Sequence, residues 1–463
     1  MGPSKRGGRN PVAARSRRGA GAARPGVAAP GLPRWSEAQA EAHLRSLELF
    51  GMRFGLEKMR RMMTALGSPE QRFDSLHIVG TNGKTSTARL TAAILERHGL
   101  RTGTYTSPHL VSYRERVQVS EREVGGEAFA AAIARAAWAS ERVNRTLSAD
   151  DHVTQFELLT AAAFWEMARR EVQVAVIEAG LGGRYDATSV LPSRVTVLTN
   201  VALEHTRWLG PTVRDIAEEK LAVLRQGMTL VLGADLDPAA QAVAARVVGE
   251  RGASTLQADR SSPALPRLRA AGDFQRQNLA LGRLAAKVYL NGAGIELRER
   301  LVDQAAAATL VPGRLQLVSE DPPTVLDGAH NPHAVRALVS SLPGIVGARP
   351  LALVMGVLED KDAASMLELL LGVSERAWFT APPSARALSP AALQSRARQL
   401  AFAHTACETE PLRALQEAQR WARAHGGAVL ATGSVYLAGE LLRRLDLLGE
   451  AAAARERRGG GAR

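Results

Sequence analysis

Short apolar runs, each followed by a turn and a helical pattern, recur along this chain and leave it few folds to choose from. Ser75 to Val79 (SLHIV) reads as a buried strand, followed by a Gly-containing turn and a helical stretch from Ser86 to His98. Glu171 to Ile177 (EVQVAVI) is nearly continuous and β-branched, the pattern of a strand covered on both faces. Arg194 to Leu198, Thr229 to Leu232, Val325 to Leu326, Leu351 to Met355, Ala377 to Thr380 and Ala428 to Ala431 look alike. Alternation of this kind predicts α/β architecture with parallel sheets. Pro312–Gly313 precedes a new set of strands, so the expected division is a domain over residues 35–309 and a smaller one over 310–450. Residues 1–34, rich in Gly, Pro, Ala and Arg without hydrophobic period, read as a disordered basic tail, and Ala451 to Arg463 as a second frayed tail.

Composition removes several classes. Apolar residues at 46% and charged residues at 23% supply ample core, which excludes a wholly disordered chain. The single cysteine, Cys407, excludes an intrachain disulfide and a Cys-rich zinc site, and fits a reducing, cytoplasmic setting. No apolar run approaches the roughly 20 residues that span a bilayer, so no membrane role is expected. The arginines of the leader are not followed by the apolar core of a secretory signal, although an Arg-rich, acid-free leader also fits an organellar transit peptide. The net charge of +13 suggests nucleic acid, but eight of those charges fall in residues 1–34 and leave +5 for the rest. That mild excess suits anionic small molecules, and 4% aromatics offer no base-stacking platform. No nucleic-acid partner is expected, and the chain reads as a monomer.

The most informative local pattern is Gly80-Thr-Asn-Gly-Lys-Thr-Ser86, set between the first strand and its helix. Glycines let backbone N–H groups converge on phosphate oxygens, with a helix N-terminus behind them. Lys84 would reach the β/γ-phosphates, and Thr85 or Ser86 would offer a hydroxyl to Mg²⁺. The N-terminal domain is thus expected to be of P-loop ATPase type and the C-terminal one Rossmann-like. Only two residues separate Gly80 from Gly83, where the usual nucleotide loop has four. Lysine usage points the same way: six lysines stand among 59 basic residues, so Lys84 and Lys220 are retained in a chain that otherwise prefers arginine. Lysine supplies a compact charge and a modifiable amine that the arginine fork does not.

Six motifs then occur in order: Gly80-Thr-Asn-Gly-Lys-Thr, Thr106-Ser-Pro-His-Leu110, Thr154-Gln-Phe-Glu157, Glu178-Ala-Gly-Leu-Gly-Gly-Arg-Tyr-Asp-Ala-Thr188, His205 with Glu219-Lys220, and Asp327-Gly-Ala-His-Asn-Pro332. Together they resemble the folylpolyglutamate synthase/dihydrofolate synthase family of the Mur-ligase superfamily, over residues of about 40 to 445. The resemblance implies ATP-dependent amide formation. A carboxylate of dihydropteroate or of a reduced folate takes the γ-phosphoryl group, and L-glutamate attacks the acyl phosphate. ATP and Mg²⁺ are the implied substrate and cofactor.

By the same resemblance, Gly80, Thr81, Asn82, Gly83, Lys84, Thr85, Asn278, Arg314 and Asp327 contact nucleotide, and Ser107, Glu178 and His205 hold magnesium. Lys84, Lys220 and His205 carry the catalysis, Lys220 as a lysine carbamylated by CO₂. Thr154, Gln155, Phe156, Glu157, Tyr185, Asp186 and Ala187 hold the pteroate, and His330 serves glutamate or nucleotide. Thr432-Gly-Ser434 resembles a final strand-to-helix turn suited to the amino acid's carboxylate. From the residues alone, Glu178 ends a buried strand where open α/β sheets bind ligands. His205 reads equally as a structural histidine, Lys220 as a surface lysine paired with Asp215 or Glu219, Ser107 as a turn residue and Phe156 as core.

The chain departs from the family at Thr85 (usually Gly), Glu204 (usually Asp), Ser189 (commonly Asn) and Leu221-Ala222 (Ala-Gly). Thr85 leans toward the cell-wall Mur ligases, so the alternative is a ligase acting on a UDP-linked precursor. Against it, about 40 residues precede the first family-like segment, too few for an extra uridine-binding domain.

Overall fold

A computed structural model describes residues 34–47, 55–148, 150–259 and 268–459, with only the backbone over 449–459. The tail expected over residues 1–34 lies outside these residues except for Arg34.

Among the described residues fourteen strands form two sheets. The first holds β1 (Asp74–Val79), β2 (Thr102–Tyr105), β3 (Val117–Val119), β4 (Arg122–Glu123), β5 (Val174–Glu178), β6 (Val195–Leu198), β7 (Thr229–Leu232) and β8 (Ser254–Gln257), in the order β4-β3-β2-β5-β1-β6-β7-β8. Its pairings are parallel except those of β2 with β3 and β3 with β4. The second holds β9 (Gln316–Glu320), β10 (Pro323–Leu326), β11 (Leu351–Met355), β12 (Arg376–Phe379), β13 (Thr405–Cys407) and β14 (Ala428–Thr432), in the order β13-β12-β11-β14-β10-β9. Here only β9 runs antiparallel, against β10.

Helices cover both faces of the first sheet, which is why β1 and β5 are buried nearly throughout. Lys84–Arg97 buries Leu90, Ile94 and Leu95 against β1, β5 and the long helix Asp273–Gly292. On the other face Gln155–Arg169 and Gly126–Asn144 pack Phe129, Leu158 and Phe164 with Ile177. β5 and β6 flank β1, with Ile78 opposite Glu178 and Val79 opposite Leu198. The carboxyl ends of these three strands therefore open on one crevice, where such sheets place ligands.

All eight strands expected from the sequence are present within a few residues. β2, β3, β4, β8, β9 and β13 escape the apolar-run criterion because they are short, glycine-containing or exposed along an edge. Two helical expectations change. The pattern read as Thr212 to Gln226 closes at Leu221, and the chain turns into Gly227 at φ 71°. The backbone stays helical from Val435 to Gly459, correcting the frayed tail placed at 451. Glu450, the alanines Ala451 to Ala454, Glu456 and the neighbouring arginines are strong helix formers, and that propensity carries the helix onward.

Candidate active site

The turn after β1 is built by close approach. Gly83 caps the helix Lys84–Arg97 at φ 81°, and a Cβ there would lie 2.5 Å from Asn278 Oδ1, so side chains are excluded twice over. Thr81 N donates to the Asn200 carbonyl at 2.9 Å and Asn82 N to Asn200 Oδ1 at 3.0 Å, which fixes the turn against the end of β6. Two ammonium groups then meet on one acceptor. Lys84 Nζ donates to the Gly80 and Thr81 carbonyls at 3.1 and 3.0 Å. Lys220 Nζ donates to the same Gly80 carbonyl at 2.8 Å. Burial, and next the Lys84 charge, push Lys220 down to about 7.

Glu178, the last residue of β5, is buried. Its carboxylate accepts from the Thr85 hydroxyl at 3.1 and 2.9 Å and from Ser107 N at 3.1 Å. Burial raises it above an ordinary glutamate, against the pull of Lys84. The surface-lysine reading of Lys220 falls here, since it is 5% exposed and its neighbour Glu219 pairs instead with Arg184.

Arg314 and Asp327 bring the second domain to the crevice. Asp327 accepts from Leu315 N at 2.8 Å and Ala329 N at 2.7 Å, and burial raises it while the Arg314 charge lowers it. The Arg314 charge also reaches Glu178. Across the gap Asn331 Nδ2 donates to Asn82 Oδ1 at 2.9 Å and Asn82 Nδ2 to Asn331 Oδ1 at 3.3 Å. A second bridge centres on Glu204. Its Oε1 lies 3.2 Å from both His330 Nε2 and Lys361 Nζ, and 3.8 Å from His205 Nε2. Burial opposes ionisation of Glu204, yet the hydrogen bond and charge of His330, with Lys361 and His205, hold it well below the usual range. His205 is driven by burial and by Lys361 to about 4, so it is a neutral imidazole with a free lone pair.

Gly80, Thr81, Asn82, Gly83, Lys84, Thr85, Ser107, Glu178, His205, Lys220, Asn278, Arg314, Asp327 and His330 all line this one cleft. The expected pteroate residues lie beside it. Thr154 and Glu157 form the capping box of the helix Gln155–Arg169, and Gln155 Nε2 donates to the Leu44 carbonyl at 2.7 Å. Phe156 packs on Gly180, where a Cβ would sit 2.5 Å from its ring. Asp186 accepts from Gly180 N, Leu181 N and Thr188 N at 2.9, 2.8 and 3.0 Å, and so shapes the loop that lines the cleft. Ala187 is buried and Tyr185 is 47% exposed. Glu204, Lys361, Asn331, His333 and Asn200 are cleft or bridge residues that sequence reasoning missed as such. Lysine scarcity, which singles out Lys84 and Lys220, applies equally to Lys361.

Residues 78–257 match the Mur ligase middle domain and residues 313–435 the Mur ligase glutamate ligase domain. The folylpolyglutamate synthase of Lacticaseibacillus casei is 35% identical over 363 residues, 73% of this chain and 84% of that protein. The chain belongs to the folylpolyglutamate synthase/dihydrofolate synthase family. The dihydrofolate synthase/folylpolyglutamate synthase of Escherichia coli is 32% identical, over 77% of this chain and 83% of its own length. Among solved structures, Mycobacterium tuberculosis folylpolyglutamate synthase complexed with ADP superposes with a TM-score of 0.82 at 28% identity, covering 88% of this chain and 98% of the other. E. coli FolC in complex with DHPP and ADP gives 0.78 at 28% identity, covering 89% and 98%. With both Mur modules matched in order, this family member is an ATP-dependent ligase, and the cell-wall alternative is not favoured.

Proposed function

We propose that the chain adds L-glutamate to dihydropteroate, to reduced folates, or to both, in the cleft between two domains that meet near residue 310. The observation that carries this is the convergence of the glycine turn, two lysines and Glu178 on one wall with Arg314 and Asp327 on the other. ATP would lie with its phosphates on the Gly80–Thr85 turn, Lys84 turning from its own loop to the terminal phosphates. Asn278 and Asp327 would hold the rest of the nucleotide, and Arg314 would clamp phosphate from the second domain. Like charges must be gathered for this chemistry, so positioning and screening do most of the work.

The residues fit magnesium. Among the described residues no group of three or more His, Cys, Asp or Glu is set to hold a metal, so an ion would rest on Glu178, the Ser107 and Thr85 hydroxyls, His205 and the nucleotide's own oxygens. Bound there, it would supply charge neutralisation at the transferring phosphoryl group. Lys220 fits carbamylation, since a buried amine brought to about 7 is substantially unprotonated at neutral pH.

The acceptor would lie with its pteroate along Phe156, Tyr185, Asp186 and Ala187, its carboxylate reaching the cleft. A bond then forms from that carboxylate oxygen to the γ-phosphorus as the bond to ADP breaks. The glutamate nitrogen attacks the acyl carbon, phosphate leaves and the nitrogen loses its proton. His330 and the turn after β14 (Thr432 to Ser434) would seat the amino acid. Dihydropteroate and tetrahydrofolate, each tested alone in a glutamate-dependent ADP-release assay, decide the reading: release with either supports it. No glutamate-dependent release with any pterin overturns it.

A further inference from the structure

A second cavity, of about 600 Å³, lies behind the loop that carries Gly180 to Ser189 and shares no residue with the cleft. Its volume is that of an ordinary small-molecule site. Arg60, Arg184, Arg225 and Arg251 line it, and among the described residues no Asp or Glu does. We propose that this arginine-lined pocket is a binding site for a small polyanion carrying at least two carboxylate or phosphate groups.

Three of these four charges have no carboxylate partner among the described residues. Among the described residues only Arg184 has a carboxylate partner, Glu219 at 2.8 Å. Arg225 spends its guanidinium on two backbone carbonyls, those of Leu191 and Ser189, which leave its charge intact. Burial and the facing Arg60 charge both disfavour the charged form of Arg225. Nearby Arg246 shows how the chain treats an ordinary surface arginine: Glu218 lies 2.8 Å away and Glu250 2.7 Å. Ser193 adds a separate observation. It lines the same pocket and is 2% exposed, and among the described residues its hydroxyl has no hydrogen-bond partner. A buried donor left unmade is costly unless something fills it. Guanidinium forks match carboxylate and phosphate oxygens in pairs, and several forks spread over such a volume call for a ligand with several anionic groups.

Two sources supply that chemistry. One is a γ-linked glutamate oligomer, with a free carboxylate on each residue. This source rests on the proposed function, because such an oligomer is what repeated ligation would make. The other is a condensed phosphate, which does not depend on it.

The test is calorimetric titration of the full chain at low ionic strength, with the nucleotide cleft saturated by a non-hydrolysable ATP analogue. Penta-γ-glutamate and inorganic tripolyphosphate are titrated separately into wild type and Arg60→Gln/Arg251→Gln, whose side chains hold no other described group. We expect one probe to bind wild type, to weaken steeply with salt, and to lose at least ~10-fold in the double variant. Which probe binds names the source. The proposal is overturned if neither probe binds wild type, or if the double variant keeps wild-type affinity for the probe that does. An unchanged melting temperature in the variant, and unchanged glutamate-dependent ADP release, separate this outcome from misfolding and from failure of the functional reading.

Discussion

The two walls of the cleft are held in opposite ways. On the N-terminal wall Lys84, Lys220, Thr85, Ser107 and Glu178 are tied to one another or to the glycine turn, and burial moves Lys220 and Glu178 away from their ordinary ionisation. The C-terminal wall reaches across through a few side chains, chiefly Asn331 to Asn82 and the Glu204 bridge to His330 and Lys361. The first wall is organised before any ligand arrives. The second is attached by polar contacts that a ligand can replace, because each partner also suits an anionic or amide group of a substrate. Reactivity should therefore depend on the first wall and substrate affinity on the second.

The sharpest way to break this contrast is at Lys84. Lys84→Ala should cost at least ~10³-fold in kcat/KM for ADP release, since a positioned cation at the transferring phosphoryl group has no substitute. A loss confined to the KM for ATP would place Lys84 in binding alone. Lys220→Arg should be nearly as damaging, by ~10²-fold or more, because arginine stays protonated and cannot take up CO₂. A ¹³C carbamate signal present in wild type under ¹³C-bicarbonate and absent from Lys220→Arg would confirm the modification. Wild-type turnover in Lys220→Arg would refute it. Glu178→Gln comes next, with the magnesium titration midpoint shifted upward by about tenfold, as loss of one hard oxygen charge demands. An unchanged midpoint would remove Glu178 from the ion.

The bridge that attaches the second wall should respond more mildly. Glu204→Gln keeps the size of the side chain and removes the charge that seats His330 and Lys361. It should change the KM for glutamate by a few fold while kcat stays within about twofold, the pattern of a lost binding contact that is equal in ground and transition states. An equal fall in kcat would show that Glu204, which stands on the N-terminal side of the bridge, takes part in the reactivity of that wall.

These two walls are also unequally legible. The glycine turn, Lys84 and Glu178 announce themselves because strand, turn and helix are consecutive in sequence and the chemistry sits on strand ends. The scarcity of lysine marks Lys220 without any knowledge of its burial. The bridges are different: Glu204 and Lys361 are 157 residues apart, and Asn82 and Asn331 are 249. No local period encodes such a pair. Thr154 and Glu157 show the converse, since their spacing of three is a capping box and that local role is the one the fold displays. The arginine pocket is invisible for a third reason, that its members come from four separate segments in a chain where arginine is commonplace.

An effect on stability instead of turnover tests how far the N-terminal organisation extends behind the cleft. His77 in β1 is buried, its Nε2 2.8 Å from the Thr188 hydroxyl, which in turn bonds Asp186 beneath the Gly180 loop. Burial, and then the Arg225 charge, push His77 down to about 3, against 6.5 for an ordinary histidine. A base depressed in this way stabilises the fold above the unfolded value. That contribution is lost as pH falls from 6.5 toward 3, because the unfolded chain takes up a proton that the native one refuses. In denaturant melts between about pH 6 and pH 4, wild type should lose about 1.4 kcal/mol per pH unit on account of this one group. His77→Gln, which can still donate to Thr188, should lack that increment while remaining near wild type at about pH 8. His109, also pushed to about 3, contributes the same slope to both proteins and cancels in the difference. Parallel acid profiles for wild type and His77→Gln would show that His77 is free to charge, and that the order on the reactive wall stops at the loop.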